Sequence, residues 1–154
     1  MPIKSIFSDL LLNNQDFKNH VKYNIRVFHP NEKILLKGGI YPYFCFLQKG
    51  TARVVLSDAI EKALHPIVSD IHINEMFGGM GLFDGLPANA DIISVTETEI
   101  AEIDRESFLN FIELNPKLGN EILIDIVQTL FKKISRMNEM VLSLLKQNIS
   151  LQKK

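Results

Sequence analysis

The fold of this chain is decided by residues 76–92, which read Met-Phe-Gly-Gly-Met-Gly-Leu-Phe-Asp-Gly-Leu-Pro-Ala-Asn-Ala-Asp-Ile. Three glycines at positions 78, 79 and 81 precede a short apolar turn, and glycine lets a ligand approach the main chain closely. A glycine-rich loop that runs into a helix points several N–H groups in one direction and so forms a cradle for an anion. Residues 90–95 then alternate as a β-strand does.

These residues resemble the phosphate-binding cassette of cyclic-nucleotide-binding domains, the family of the catabolite activator protein and the regulatory subunits of cAMP-dependent protein kinase. Residues 77–83 and 87–92 carry the resemblance, against a family pattern of Phe-Gly-Glu-x-x-Leu-Leu followed by Pro-Arg-x-Ala-x-Val. The resemblance implies a mainly β fold with flanking helices, an antiparallel β-roll of jelly-roll type, and cAMP or cGMP as the ligand to test. The cradle it implies consists of Phe77, Gly78, Gly79, Met80, Gly81, Leu82, Ala88, Asn89 and Ala90.

The cassette departs from the family at its two main ligand contacts. The ribose-binding Glu of the family falls on Gly79, and its phosphate-binding Arg falls on Ala88. Charge-assisted hydrogen bonds contribute about 1.5–3 kcal/mol each, so loss of the Arg alone weakens binding by about one to two powers of ten or more. Asn89 and the backbone N–H groups remain, and Asp91 is expected to point outward. We therefore expect weak or no binding of cAMP and cGMP. The sequence does not assign a definite cofactor, and a cyclic nucleotide is the one to test.

Length, composition and charge limit the classes to which this protein can belong. A chain of 154 residues with 46% hydrophobic content can bury one proper core. The net charge of −1 supplies no basic field for nucleic acid or acidic membranes. The single cysteine, Cys45, cannot form an internal disulfide, which fits a reducing compartment. No signal-peptide-like start or run of about 20 apolar residues is present, so we expect a soluble, cytoplasmic protein.

Short strands separated by glycine turns are expected between residues 24 and 56. Apolar runs at 25–28, 34–36, 44–47 and 53–56 predict four strands of an antiparallel barrel or roll. The sequence Gln-Lys-Gly-Thr at 48–51 predicts a hairpin between the last two of them. Residues 57–75 predict one or two further strands joined by a mobile loop.

The last helix carries a heptad pattern. Val127, Ile134, Val141 and Asn148 occupy a positions, with Leu123, Leu130, Met137, Leu144 and Leu151 at d. β-Branched residues at a with mostly Leu at d favour a parallel two-stranded coiled coil, and a single Asn at a fixes its register. We predict domains at 1–116 (β-roll with N-terminal helices) and 117–154 (dimerisation helix, frayed beyond Lys146). The predicted dimer contacts are Leu123, Val127, Leu130, Ile134, Met137, Val141, Leu144 and Asn148.

The same helix has a second interpretation. Ile126, Phe131, Met140 and Leu145 widen the apolar stripe, so one side of the helix could instead pack on the roll or cover its pocket. A helix buried in its own domain explains the wide stripe but leaves Asn148 unexplained. Lys132, Lys133 and Arg136 form a weak basic group that fits a solvated face better than a nucleic-acid site.

Patterns of enzymes and metal sites do not appear. The four histidines form no i, i+4 pair, and there is no Walker loop or nucleophile elbow. The glycines of the cassette could equally serve only a tight turn that came with the fold. The sequence thus predicts a non-enzymatic protein without a metal site.

The function that the sequence favours is a regulatory or sensory module with a diverged pocket, acting as a homodimer. Three alternatives stay open: a true cyclic-nucleotide signalling protein that uses backbone N–H groups and Asn89, a structural dimer platform for a protein partner, and a truncated transcription regulator. Residues after Lys146 leave no room for a helix-turn-helix domain, so we expect no nucleic-acid binding by this chain alone and no membrane partner. A small nucleotide-like molecule and a protein are the partners to consider.

Overall fold

The computed structural model of the chain describes residues 5–56 and 67–153. Residues 57–66, part of the segment 57–75 in which a mobile loop is predicted, lie outside the described residues. The chain divides into two compact units, and the boundary along the sequence falls between Leu114 and Asn115. The elements in chain order are α1 (Ile6–Asn13), α2 (Gln15–His20), β1 (Tyr23–Phe28), β2 (Lys33–Leu35), β3 (Tyr43–Lys49), β4 (Ala52–Val55), β5 (Ile67–Ile71), β6 (Met76–Phe77), α3 (Met80–Asp84), β7 (Asp91–Ser94), β8 (Thr98–Asp104), α4 (Arg105–Leu114) and α5 (Pro116–Gln152).

The strands form two four-stranded antiparallel sheets. Their strand orders are β1-β8-β3-β6 and β2-β7-β4-β5, and in both sheets every neighbouring pair is antiparallel. The predicted fold class, antiparallel β with flanking helices and a long C-terminal helix, is confirmed.

The predicted hairpin at residues 48–51 is wrong, because β3 and β4 lie in different sheets. β3 is already bonded on both sides, by β8 and by β6, so no edge is left for β4. Gly50 makes the passage between the sheets at φ +84°, and a Cβ there would lie 2.2 Å from the carbonyl oxygen of Glu97. The glycine is therefore required by a turn between sheets and not by a hairpin.

The apolar run in β3 is explained by burial of both its faces. Phe44 and Phe46 point to the helical side, where the Phe44 ring lies 4.9 Å from that of Phe108 and the Phe46 ring 5.8 Å from that of Phe7. Cys45 and Leu47 point the other way, because side chains alternate along a strand. They join a core to which both sheets contribute, namely Phe28, Ile34, Leu35, Cys45, Leu47, Ala52, Ile71, Phe77, Ile92 and Ile100.

The N-terminal helices begin at side-chain caps. The Ser5 hydroxyl accepts a hydrogen bond from Phe7 N, and the Asn14 carboxamide oxygen accepts one from Phe17 N at 2.8 Å. Such caps satisfy N–H groups that have no partner inside the helix. Asn14 thus both ends α1 and starts α2.

The second unit is a helix of 37 residues with Pro116 in its first turn. Proline suits this position because its missing N–H would have no intrahelical partner there. The helix continues to Gln152, so the predicted fraying beyond Lys146 is wrong. Gln147, Leu151 and Gln152 in this tail are good helix formers, and Asn148, Ile149 and Ser150 between them do not interrupt the helix.

Candidate functional site

The predicted cradle residues lie on three consecutive pieces of chain. Phe77 ends β6 and is buried, Leu82 lies in α3 and is buried, and Ala90 directly precedes β7 and is buried. Ala88 is half-buried and Asn89 is exposed. The cassette is therefore held in place by apolar side chains at its start, middle and end.

The two adjacent glycines at the start of the cassette have different roles. Gly78 has φ +69°, and a Cβ there would lie 2.8 Å from Leu35 Cδ1. Gly79 lies outside the left-handed region, and a Cβ there would make an ordinary contact of 3.4 Å with Met76 Cε. Position 78 requires glycine on two counts, whereas position 79 has room and backbone geometry for a side chain.

The backbone of the cassette closes one helical turn on itself. The N–H of Leu82 donates to the carbonyl oxygen of Gly79 at 2.9 Å. Of the N–H groups expected to face an anion, that of Leu82 is thus already bonded within the chain.

The far end of the cassette is held by a glycine turn of the β2–β3 loop. Gly38 N donates to Ala88 O at 2.7 Å, and Ala88 N donates to Gly39 O at 2.8 Å. Lys37 N donates to Asp91 Oδ1 at 2.8 Å. Position 88, where the family carries its arginine, is therefore fixed by backbone bonds that do not depend on its side chain.

Two residues that support the cassette were missed by sequence reasoning. Asp91 was expected only to point outward, yet its carboxylate holds the N–H of Lys37 across 54 positions of chain. Arg105 was not among the predicted site residues, yet its Nη2 donates to Phe83 O at 3.0 Å, beside the C-terminal end of α3. A Cβ on Gly85, which has φ +65°, would lie 3.2 Å from Nη1 of the same guanidinium. Neither contact has a local sequence signal, because both partners are distant in the chain.

A polar depression of about 630 Å³ lies elsewhere in the roll. Glu102 is one of its lining residues; it is buried, and its Oε1 pairs with Nη1 of Arg26 at 2.9 Å. Burial, and next the Glu102 carboxylate, raise the pKa of Tyr43 to about 12, so this hydroxyl stays protonated as a donor. Its lining residues come from α2, β1, β3, β8 and the segments that flank them, so it is separate from the cassette. Among the described residues, no three His, Cys, Asp or Glu side chains gather as metal ligands, and no helix is long and apolar enough to cross a membrane.

The predicted dimer residues all lie on α5. Gly119, Ile122 and Ile126 are buried, and Leu123 is half-buried. From Val127 onward every apolar heptad side chain is exposed, Val127 by 47%, Ile134 by 51% and Leu144 by 57%. Asn148 is exposed as well. The helix thus presents a long apolar stripe with one polar interruption.

Three comparisons with known proteins bear on this geometry. A family model described as cyclic nucleotide-binding domain matches residues 25–115. A search of curated protein sequences gave no significant match. Among solved structures, a cyclic nucleotide-binding domain from Methylobacillus flagellatus superposes with a TM-score of 0.73 at 18% identity, covering 86% of this chain and 74% of that one.

Two longer structures share the same fold. The catabolite activator protein of Thermus thermophilus has a TM-score of 0.64 at 20% identity, covering 80% of this chain and 55% of that one. The c-di-GMP responsive global regulator CLP of Xanthomonas campestris has a TM-score of 0.73 at 19% identity, covering 84% and 61%. The chain therefore spans between half and two thirds of these two regulators. At such low identity the likeness shows the fold.

Proposed function

Since the chain belongs to the cyclic nucleotide-binding domain family, we propose that it is a non-enzymatic regulatory module whose cassette has lost strong binding of cAMP and cGMP. The observation that carries this proposal is the contrast between a cassette backbone that is firmly held and the missing ligand-binding side chains. Gly78 has a left-handed φ, and Ala88 makes two backbone bonds to the β2–β3 loop. The positions that hold ribose and phosphate in the family carry Gly79 and Ala88.

The lost contacts are electrostatic. A cyclic phosphate carries one negative charge, and the exposed Asn89 offers a dipole where the family offers a cation. The N–H of Leu82 is bonded to Gly79 O and adds nothing for an anion. A charge brought into the cassette without a cation loses water without an equivalent replacement, which disfavours binding.

The proposal is tested by restoring both contacts. The variant Gly79→Glu with Ala88→Arg returns a ribose acceptor and a phosphate cation to their family positions. Gly79 has a φ that glutamate can adopt, and backbone bonds at Ala88 do not depend on its side chain. Calorimetry with cAMP and cGMP is expected to show micromolar or tighter binding by the double variant and at least tenfold weaker binding by the wild type.

Three further variants keep this test sharp. Gly79→Glu alone and Ala88→Arg alone should each gain less than the pair. Gly79→Gln with Ala88→Met matches the added volume without charge and should gain nothing. Micromolar binding by the wild type would refute the proposal. No binding by a folded double variant would favour a module that uses its fold only as a platform for a protein partner.

The assembly that fits this module is a parallel homodimer through α5. We assign the binding module to residues 1–116 and the dimerisation helix to residues 117–154. The exposed a and d side chains support this, because an apolar stripe of this length is disfavoured in water and is covered in a coiled coil. Asn148 at an a position would select the two-stranded, in-register form.

A second candidate function is the regulatory half of a DNA-binding regulator. It is favoured by the likeness to the Thermus and Xanthomonas regulators, of which this chain spans 55% and 61%. The chain alone should then show no sequence-dependent DNA binding at physiological salt, as its net charge of −1 also suggests. A salt-resistant, sequence-dependent shift in an anisotropy titration would assign DNA recognition to these 154 residues and overturn this expectation.

A further inference from the structure

The polar depression of about 630 Å³ is built on one face of three neighbouring strands, β1, β8 and β3. Tyr43 of β3 lies opposite Asp104 of β8, whose N–H donates to the carbonyl oxygen of Lys22 at 2.8 Å. One step along, Asn24 of β1 lies opposite Glu102 of β8. Opposite residues of paired strands share a face, as do residues two apart in one strand. These five residues therefore line the depression together, and its volume is in the range of small-molecule sites.

Two carboxylates of the depression each keep one oxygen without a partner. Glu102 is buried, with 7% of its surface exposed, and its Oε1 pairs with Arg26 Nη1 at 2.9 Å. Asp104 is half-buried, and its Oδ2 accepts a hydrogen bond from Ser107 N at 2.9 Å. In the part of the chain that the structure describes, neither Glu102 Oε2 nor Asp104 Oδ1 accepts a hydrogen bond. These two oxygens are therefore available to a cationic donor, the partner that a shielded carboxylate favours.

Two donors of the depression are available as well. Among the described residues, neither the Tyr43 hydroxyl nor Lys22 Nζ takes part in a hydrogen bond or an ion pair. Burial, and next the Glu102 carboxylate, raise the pKa of Tyr43 to about 12, so its hydroxyl stays a donor. Lys22 is exposed and is held by its backbone, since Lys22 N donates to Ser107 Oγ at 2.9 Å. Its ammonium group can therefore turn towards an anionic group at the rim of the depression.

The charges of the depression are divided between its floor and its rim. Arg26 offsets the charge of Glu102, whereas Asp104 has no ion pair within residues 5–56 and 67–153. Lys22 lies opposite Asp104, yet the two charged groups do not pair with each other there. The floor thus keeps an uncompensated negative charge and the rim an uncompensated positive charge. Because neighbouring strands are only about 4.8 Å apart, one small zwitterion can reach both.

This division of charge distinguishes between classes of small molecule. A nucleotide or another polyanion would be repelled by the carboxylates of Glu102 and Asp104. A neutral sugar would displace water from charged groups without supplying an opposite charge, which disfavours binding. A zwitterion supplies both charges. The lining is completed by apolar surface from Val21, Tyr23 and Pro42, beside which an apolar side chain of the ligand would fit.

We propose that this depression is a binding site for a free α-amino acid with an apolar side chain. The ammonium group of the ligand donates to Glu102 Oε2 and Asp104 Oδ1, and its carboxylate pairs with Lys22 Nζ. The Tyr43 hydroxyl and the Asn24 carboxamide orient it by further hydrogen bonds. The site gives the regulatory module a ligand that is independent of the cassette, so it stands whether or not cAMP or cGMP binds there.

An NMR titration of the full chain tests the site. L-Leucine should shift the amide signals of Asn24, Tyr43 and Glu102 saturably, with a dissociation constant of about 1 mM or tighter from its charge-assisted contacts. The same titration is made with L-valine, L-methionine and L-phenylalanine. If none of the four gives saturable shifts at up to about 10 mM, the proposal is overturned.

Two analogues of leucine test the roles of its charges. N-Acetyl-L-leucine lacks the ammonium group, and L-leucinamide lacks the carboxylate. Each should bind at least tenfold more weakly than L-leucine, because each loses charge-assisted hydrogen bonds. Binding of N-acetyl-L-leucine as tight as that of L-leucine would mean apolar adsorption without charge recognition, and would overturn the proposal.

Substitutions on the floor locate the ammonium contact. Asp104→Asn removes the charge and keeps an oxygen for Ser107 N, since Asn and Asp cap helices equally well. It should weaken both L-leucine and L-leucinamide at least tenfold, as should Glu102→Gln. Glu99→Gln is the matched control, because Glu99 is also on β8 but its neighbours Thr98 and Ile100 separate it from this face, and it should bind like the wild type. Wild-type affinity of both floor variants for L-leucine would overturn the site.

Lys22→Gln separates direct contact from a loss of structure. The Lys22 side chain has no partner in the described part of the chain, so this variant should fold like the wild type. It should weaken L-leucine at least tenfold, to the level of L-leucinamide, and should not weaken L-leucinamide. Equal losses for the two ligands, or no loss for L-leucine, would overturn the assigned orientation and with it the amino-acid site. Circular dichroism confirms that each variant is folded.

Discussion

Strand β3 and the second half of helix α5 are both rich in apolar side chains, yet they meet opposite surroundings. In β3 the four residues 44–47 are all buried, with exposed fractions of 1% or less. In α5 every large apolar side chain from Val127 onward is at least 38% exposed. Apolar content alone therefore does not distinguish a core from an interface. The first segment stabilises its own chain, whereas the second would contribute to stability only when it is covered, as in the dimer proposed above.

The largest expected effect lies in β3. Phe44→Ala removes a fully buried ring that packs against Phe7 and Phe108. The free energy of unfolding of this variant, measured by urea denaturation, should be about 3–5 kcal/mol lower than that of the wild type. Phe131→Ala in α5 is the matched control, and in a Val141→Asp background, which removes assembly, it should change stability by less than about 1 kcal/mol. Equal losses at the two sites would erase the contrast between core and interface.

The next effect concerns assembly. Val141→Asp or Leu144→Asp places a charge in the a/d seam and should raise the dimer dissociation constant at least a hundredfold, about 2.7 kcal/mol. Sedimentation at micromolar concentration should then show a monomer with unchanged melting of the roll. Ser143→Asp, at an exposed c position, should sediment like the wild type. A monomeric wild type would remove the dimer altogether.

A smaller effect separates the two adjacent cassette glycines. Gly78→Ala forces a left-handed φ on alanine and brings its Cβ against Leu35, so stability should fall by about 1–2 kcal/mol. Gly79→Ala has neither conflict and should stay within about 0.5 kcal/mol of the wild type. Thermal unfolding of both variants measures the difference. A larger loss at position 79 would mean that the cassette is built differently from the structure described here.

The smallest effect is expected at a partly exposed ion pair. Arg53 Nε donates to Asp70 Oδ1 at 2.7 Å, and this hydrogen bond lowers the pKa of Asp70. Because the folded-state pKa is below the unfolded one, the stabilisation is present at neutral pH and is lost as the pH falls through the folded value. Asp70→Asn should therefore lower the melting temperature slightly at pH 7 and not at pH 2. Both side chains are one third exposed, so added salt should shrink the difference.

Local signals in the sequence predicted most elements but not their partners. The apolar run of β3 and the glycines of the cassette are local patterns, so these elements could be predicted from neighbouring residues. The predicted hairpin at Gly50 was wrong, because a glycine turn in the sequence does not indicate which sheet the next strand joins. A partner for β4 depends on edges that other strands leave free, and those strands come later in the chain.

In the candidate site, too, the local features could be predicted from the sequence and the long-range contacts could not. Its residues and its two departures, Gly79 and Ala88, could be read from the cassette pattern. The supports Asp91 and Arg105 could not, since each bonds a backbone group 54 or 22 positions away. Nor could sequence alone say which of Gly78 and Gly79 takes a positive φ, because either order of adjacent glycines fits a turn.

The burial of Cys45 has a practical consequence. It is the sole thiol of the chain, its exposed fraction is 0%, and burial raises its pKa, so a thiol reagent cannot reach a reactive form in the closed roll. Its strand is paired directly with β6 at Phe77, where the cassette begins. The rate at which a thiol reagent labels Cys45 therefore measures how often the roll opens beside the cassette. A ligand or a substitution that stabilises the cassette should lower the labelling rate of Cys45, and no further cysteine has to be introduced to measure it.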